Sequence, residues 1–127
     1  MAGETLPTSV QRFLSRYIRS LEQLEVLLLL RSSPNRSWTP AEVYEVVRSS
    51  RASVEERLES FVRLGFLRKD DGPPLTFRYA PKENLGAAAD ETANAYQKWR
   101  VRVIEAIFTP PVDSAQRFAD AFKVRKE

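Results

Sequence analysis

The 127-residue sequence contains no cysteine and no histidine. Without cysteine the chain has no disulfide, no thiol nucleophile and no cysteine-based zinc site. The absence of histidine removes the side chain most used for acid–base chemistry near neutral pH, and the commonest metal ligand with it. The carboxylates are spread along predicted helices between arginines, with no pair typical of a catalytic acid and base. We therefore expect no catalytic residues, no metal, no cofactor and no enzymatic activity.

Long apolar runs are also missing. The most apolar stretch, residues 24–30, is interrupted by Glu25 and followed by Arg31. It is far shorter than the roughly 20 apolar residues that a membrane-spanning helix needs. The N-terminus has no basic region followed by an apolar core, so it does not resemble a signal peptide. We expect a cytoplasmic protein that has no membrane partner.

Charge of one sign is not in large excess. The chain has 20 lysines and arginines against 17 acidic residues, for a net charge of +3. The two signs are interleaved, which is typical of a solvated mixed surface. Electrostatics alone therefore does not require a nucleic-acid partner.

The N-terminal part of the chain has two helical patterns. The first, over residues 9–19, has an apolar stripe of Val10, Phe13, Leu14, Tyr17 and Ile18. A second, leucine-rich pattern covers residues 21–30 and is wide enough for a central core helix. Ser20 followed by Gln23 matches a capping box that begins a new helix. The pattern leaves open whether the chain breaks at Ser20 or continues as one helix.

The middle of the chain predicts two short helices followed by a β-hairpin. Thr39, Pro40 and Glu42 together form an almost complete helix start. Ser53 is the predicted N-cap of the next helix, and Gly65 is suited to its left-handed end. Two short strands are expected at residues 66–69 and 75–79, joined by the turn-forming residues 70–74.

The C-terminal part predicts one long helix from about residue 87 to 108, ended by Pro110 and Pro111. A last short helix, capped by Asp113 or Ser114, is expected before a charged tail. The expected organisation is an N-terminal tail and helix (1–19), a helix-turn-helix and hairpin (20–81), a long C-terminal helix (82–109), and a short helix with the tail (110–127).

Residues 20–81 resemble the winged-helix domain of bacterial transcription regulators of the MarR, PadR and ArsR type. The resemblance rests on the capped helix at Thr39, the helix ending at Gly65 and the hairpin that closes near Tyr79. It implies a mainly α fold with a small β-hairpin, a winged helix-turn-helix with flanking N- and C-terminal helices. The flanking helices are similar in placement to the dimerisation helices of those families.

The resemblance implies that the helix from about residue 53 to 64 enters the major groove of double-stranded DNA. The hairpin, or wing, would then lie along the backbone or in the adjacent minor groove. The implied DNA-binding residues are Arg36, Ser37, Thr39, Arg48, Arg51, Ser53, Arg57, Arg68, Lys69 and Arg78. A homodimer interface is expected at Phe13, Tyr17, Tyr96, Trp99, Val103, Ile107 and Phe108, which are large apolar groups at helical spacing.

Three carboxylates depart from this pattern: Glu55, Glu56 and Glu59 lie on the expected DNA-facing side of the helix. Each would stand in the negative field of the duplex. Glu55 and Glu56 also suit the first turn of any helix, and Glu59 has the spacing to pair with Arg63. The first hypothesis is a dimeric DNA-binding transcription regulator. The alternative is a winged-helix protein-interaction adaptor that does not bind DNA and presents these glutamates to a protein partner.

Overall fold

The computed structural model describes residues 6–108, which form six helices and three short strands within that range. In chain order these are α1 (Thr8–Tyr17), α2 (Leu21–Ser32), β1 (Ser37–Trp38), α3 (Pro40–Val47), α4 (Arg51–Leu64), β2 (Leu67–Asp70), β3 (Thr76–Tyr79), α5 (Leu85–Lys98) and α6 (Arg100–Phe108). The chain therefore breaks between α1 and α2. The short helix expected after Pro111 lies outside the described residues.

The single long helix expected over residues 87–108 is wrong, because Trp99 separates α5 from α6. The break is local. The Trp99 N–H still donates to the Ala95 carbonyl at 2.7 Å, and the Val103 N–H donates to the Trp99 carbonyl at 3.0 Å. No proline or glycine lies nearby to account for the interruption.

The chain divides into two compact units. Leu21–Ala89 form one, and residues 6–20 together with residues 90–108 form the other. The first unit contains the helix-turn-helix and the sheet.

The core of the helix-turn-helix unit is built from one apolar face of each element. In α4, Val54, Leu58 and Phe61 are at most 1% exposed, as the helical spacing predicts. The Phe61 ring meets the Phe66 ring edge-on, with centroids 5.8 Å apart. Other fully buried side chains come from the remaining elements: Leu24, Val26, Leu27, Leu30, Val43 and Phe77. This core fixes α4 against α2, α3 and the sheet.

The predicted start of α3 is confirmed. The Thr39 hydroxyl accepts a hydrogen bond from the Glu42 N–H at 3.2 Å, and the Glu42 carboxylate accepts one from the Thr39 N–H at 3.0 Å. Helical spacing would bury Val43 and Val46 on the same face, but Val43 is fully buried whereas Val46 is 57% exposed. Val43 is the buried residue of this eight-residue helix.

Gly65 ends α4 as predicted, with a left-handed φ of +97°. Its N–H donates to the Phe61 and Val62 carbonyls, both at 3.1 Å. A β-carbon at this position would stand 3.3 Å from the Leu85 Cδ1 atom. Both the backbone conformation and the available space therefore favour glycine.

The expected two-stranded hairpin is part of a three-stranded antiparallel sheet in the order β1-β3-β2. Ser37 pairs with Arg78, and Trp38 pairs with the buried Phe77. The two-residue strand β1 was missed because so short a segment has no detectable alternation. The pairing of β1 with β3 connects the segment that precedes α3 to the wing.

The other unit contains α1, α6 and most of α5. The apolar stripe of α1 is buried at Val10, Phe13 and Leu14, and α1 packs against α6. The rings of Phe13 and Tyr17 lie 5.2 Å apart. No helix among residues 6–108 is long and apolar enough to cross a membrane.

Candidate nucleic-acid interface

The turn between α3 and α4 places the start of the candidate recognition helix. Ser50, and not Ser53, is the N-cap: the Ser50 hydroxyl accepts a hydrogen bond from the Ser53 N–H at 3.1 Å. The prediction at Ser53 was wrong because several serines in this segment have capping chemistry, and Ser50 has the extended backbone that a cap needs. The helix therefore begins at Arg51, which lies in its first turn.

The hydroxyl of Ser53 is engaged elsewhere, in a cluster centred on Glu22 of α2. One oxygen of the Glu22 carboxylate accepts hydrogen bonds from Ser53 Oγ at 2.7 Å and from Arg57 Nε at 3.1 Å. The other oxygen accepts a hydrogen bond from the Ser49 hydroxyl. We call these four residues the Glu22 clasp. The clasp joins α2 to both the turn and the first half of α4.

The environment of Glu22 favours its charged form. Burial raises the pKa of this carboxyl, but the hydrogen bonds from Ser49, Ser53 and Arg57 and the positive charge of Arg57 outweigh burial, so the pKa lies below its usual value. The Glu22 and Arg57 side chains are only 17% and 26% exposed. The clasp is therefore a half-buried ion pair whose two hydroxyl donors help to compensate the carboxylate for lost water.

Ser53, Arg57 and Thr39 are among the predicted DNA-binding residues whose side chains have partners inside the protein. Ser53 and Arg57 belong to the Glu22 clasp, and the Thr39 hydroxyl belongs to the α3 capping box. No sequence pattern identifies Glu22, because it precedes its partners by 27 to 35 positions. The capping-box match next to it involves Ser20 and Gln23 and gives Glu22 no role.

Two arginines at the same turn are exposed: Arg48 and Arg51. Arg48 has a left-handed backbone, with φ of +59°, and its N–H caps α3 by donating to the Tyr44 carbonyl at 2.8 Å. The Arg51 guanidinium lies 6.0 Å from the Tyr44 ring centroid. Neither side chain forms an ion pair with a residue in the described part of the chain, so both present full positive charge beside the N-terminus of α4.

The side chain of Arg36 contacts the Trp38 ring and the Glu42 carboxylate. Its guanidinium carbon lies 3.6 Å from the centroid of the Trp38 ring, and its Nη2 atom is 3.7 Å from the Glu42 carboxylate. The side chain remains 50% exposed. The stack limits the rotamers of Arg36 while leaving part of its guanidinium open to solvent.

The wing carries a row of polar side chains on one face of the sheet. Arg68 lies directly opposite Arg78, and Arg78 lies opposite Ser37 on its other side. Lys69 points to the opposite face, where its Nζ is 2.8 Å from the Glu59 carboxylate and 3.9 Å from the Asp71 carboxylate. The hydrogen bond to Glu59 and the two negative charges raise the pKa of Lys69 above its usual value.

The expected acidic face is thus smaller than the sequence suggests. Glu59 pairs with Lys69 of the wing rather than with Arg63, which leaves Glu55 and Glu56 as its exposed members. All three border a groove of about 450 Å³ between α4 and the wing. Its other lining residues are Pro40, Ala52, Leu75 and Phe77.

The expected dimer residues lie in the unit that contains α1 and α6. Val103 is fully buried, Phe13 is 2% exposed and Ile107 is 7% exposed, whereas Phe108 is 68% exposed. The other three, Tyr17, Tyr96 and Trp99, are half-buried. The exposure of these residues within one chain does not test dimerisation, which stays a prediction. Within residues 6–108 no group of three or more acidic side chains is placed to hold a metal ion.

Comparison with solved structures identifies the fold. Mycobacterium tuberculosis MosR, a transcriptional regulator, superimposes with a TM-score of 0.56 at 17% identity, over 98% of this chain and 90% of its own. The transcriptional regulator Tm0710 of Thermotoga maritima gives 0.54 at 9% identity, over 93% and 81%. The reduced form of MarR from Escherichia coli gives 0.52 at 16% identity, over 93% and 84%.

No protein-family model matches the sequence, and no curated protein matches it. Sequence identities this low to the solved structures show the fold only. The function therefore has to be inferred from the site. The chain has the winged helix-turn-helix fold of MarR-type regulator structures, as the resemblance implied, with a three-stranded sheet where a hairpin was expected.

Proposed function

We propose that this protein is a cytoplasmic, DNA-binding transcription regulator that acts as a homodimer and has no enzymatic activity. Helix α4 enters the major groove, and the turn before it contacts the phosphate backbone. The observation that carries this proposal is the pair of exposed arginines, Arg48 and Arg51, beside the N-terminus of α4. Arginine and a helix N-terminus are both suited to phosphate oxygens.

The internal contacts of α4 divide the predicted DNA-binding residues into two roles. Arg48, Arg51, Arg68 and Arg78 contact DNA directly. Ser53 and Arg57 hold α4 in place through the Glu22 clasp, because their polar atoms are already bonded to its carboxylate. Positioning of this kind matters for groove recognition, since a helix that tilts loses several contacts together.

We prefer this function to the adaptor alternative because the acidic face is partly neutralised. Glu59 forms a 2.8 Å ion pair with Lys69, so two of the three glutamates remain to act as a partner surface. Glu55 and Glu56 then limit non-specific affinity for the duplex, and a glutamate at this place is able to accept a hydrogen bond from the exocyclic amine of cytosine.

The homodimer is supported by an apolar stripe on α6. Val101 and Phe108 are 67% and 68% exposed, and Ile104 between them is half-buried. Their spacing places them on one side of the helix, while Val103 and Ile107 face its buried side. A second copy of the chain would cover this stripe and join two recognition helices for two half-sites.

The test is fluorescence anisotropy with a random-sequence duplex. The double variant Arg48→Gln/Arg51→Gln should bind more weakly by roughly fiftyfold per protomer at about 0.1 M salt, because each protomer of the dimer loses two phosphate contacts. Arg63→Gln, an exposed arginine near the end of α4, is the matched control and should stay within about threefold of the parent. Equal losses in both variants would show a general charge effect and would contradict the assignment of the turn.

A further inference from the structure

The groove of about 450 Å³ between α4 and the wing has two chemically different walls. The wall formed by α4 carries three carboxylates, and the spacing of Glu55, Glu56 and Glu59 places them on one side of the helix. The remaining lining residues are apolar: Pro40, Ala52, Leu75 and Phe77. An occupant of this groove therefore meets negative charge on one side and apolar surface on the other.

Two of the three carboxylates have no counter-charge in the described part of the chain. Glu59 pairs with Lys69 of the wing at 2.8 Å, whereas Glu55 and Glu56 are exposed and form no ion pair with a residue in the range 6–108. The two unpaired glutamates are neighbours in the sequence, so they repel each other. The groove favours an occupant that brings positive charge beside apolar side chains.

The sequence that follows α6 has both properties. Residues 109–127 come after Phe108, the last residue of α6, and lie outside the described residues. Within this segment apolar residues recur at helical spacing: Ala115, Phe118, Ala119 and Phe122. Three basic residues follow within four positions: Lys123, Arg125 and Lys126. An apolar stripe followed by a basic cluster is complementary to an apolar wall beside two unpaired carboxylates.

The segment is also long enough to reach such a groove. Residues 109–114 span about 20 Å when extended, and residues 115–126 add about 18 Å as a helix. A compact unit of the size of Leu21–Ala89 is roughly 30 Å across. The length of the segment therefore exceeds the width of the unit that contains the groove.

We propose that the groove between α4 and the wing is a docking site for residues 115–126 of this protein. Phe118 and Phe122 pack against the apolar wall, and the basic cluster of residues 123–126 pairs with Glu55 and Glu56. Because the same side of α4 faces the major groove in the proposed function, the docked segment and DNA exclude each other. The competition with DNA rests on the proposed function, and the docking does not.

The first experiment attaches a nitroxide to the segment and observes the groove by NMR of the ¹⁵N-labelled chain of 127 residues. The protein has no cysteine, so Val124→Cys provides a single labelling position. The nitroxide should broaden the amide signals of Ala52, Glu56 and Leu75 more strongly than those of the rest of the helix-turn-helix unit. The broadening should be lost in Glu55→Lys/Glu56→Lys, which alters exposed side chains only.

The matched control for this experiment is Glu45→Lys/Glu91→Lys. It reverses two exposed glutamates outside the groove and should leave the broadening unchanged. Broadening confined to the exposed stripe of α6, at Val101 and Phe108, would place the segment on that surface and overturn the proposal. Groove signals that ignore the label but shift with protein concentration would assign the groove to a second copy of the chain, which would also overturn it.

The second experiment measures the affinity of Lys123→Glu/Arg125→Glu/Lys126→Glu for a random-sequence duplex by fluorescence anisotropy. The loss of positive charge alone would weaken binding, whereas the loss of a competing segment strengthens it. If the docked form makes up about nine tenths of the protein, the variant should bind about tenfold more tightly than the parent. Arg63→Glu, which reverses an exposed charge outside the groove, should not strengthen binding.

Failure of the docking and failure of the proposed function give different results. Groove broadening in a protein that binds no duplex, with or without the triple substitution, supports the docking and overturns the proposed function. Duplex binding without groove broadening overturns the docking and leaves the proposed function intact. Groove broadening together with weaker duplex binding by the triple variant overturns the competition, because the segment would then assist DNA binding.

Discussion

Replacement of Glu22 tests whether the Glu22 clasp holds the recognition helix. In Glu22→Ala three hydrogen bonds to the carboxylate disappear, and Arg57, with a side chain only 26% exposed, loses its counter-charge. Hydrogen bonds to charged groups contribute roughly 1.5–3 kcal/mol each, but exposed Ser49 regains water. Counting the two remaining donors at the low end gives a loss of about 2–3 kcal/mol in the free energy of unfolding.

The conservative variant Glu22→Gln keeps the shape and an acceptor oxygen, so its loss should be nearer 1 kcal/mol. Urea unfolding monitored by circular dichroism measures both values. Glu25→Gln on the same helix is the matched control, because Glu25 has no ion pair with a described residue, and it should change stability by less than about 0.5 kcal/mol.

The direction in which Glu22→Ala changes the affinity for DNA distinguishes a role of the clasp in positioning α4 from a simple effect of net charge. Glu22→Ala raises the formal net charge above +3, which by itself would strengthen binding to a duplex. If the clasp positions α4, the variant should nevertheless bind DNA more weakly at a temperature where it is fully folded. Unchanged stability, or tighter DNA binding once Arg57 is released, would refute the reasoning.

The clasp also predicts a pH dependence. The pKa of Glu22 is lower in the folded protein than its usual value of 4.5, so the clasp contributes its full stability above that pH. The contribution is lost as the pH falls below 4.5 and through the lowered pKa of the folded state. The stability difference between the parent and Glu22→Gln should therefore shrink on acidification in this range, which unfolding at several pH values measures.

Three further substitutions give independent tests. Gly65→Ala should cost about 1–2 kcal/mol in urea unfolding, because φ of +97° is strained for alanine; a loss below 0.5 kcal/mol would show that the helix end relaxes. Thr39→Ala should cost about 1 kcal/mol by removing the α3 capping box, whereas Thr39→Ser should be nearly neutral. Phe108→Glu should weaken self-association in sedimentation equilibrium at least about tenfold, and a mass equal to one chain for the parent would contradict the dimer.

The parts of the fold that sequence predicted are those with local physical causes. Thr39 and Gly65 were identified because a cap and a left-handed helix end each depend on residues within one turn. The buried stripe of Val54, Leu58 and Phe61 follows from helical periodicity alone. These local signals were sufficient for the helix-turn-helix and for the wing.

The parts that sequence did not predict depend on contacts between distant segments. The pairing of β1 with β3 joins residues about forty positions apart, and the ion pair of Glu59 with Lys69 joins a helix to a strand. The Glu22 clasp is of the same kind. These contacts engage the side chains of Ser53, Arg57 and Lys69. Residue types alone therefore predicted which residues belong to the candidate site. They did not distinguish side chains that are available to a ligand from those already bonded within the protein.

The central claim, that this winged helix binds DNA through its exposed arginines, is tested most directly by duplex affinity across a salt series. Four direct arginines per protomer at about 0.9 each give a slope of log affinity against log salt near −7 for a dimer. The account predicts binding at low salt that weakens linearly with approximately this slope. No binding at low salt, or binding with a slope near zero, would contradict it.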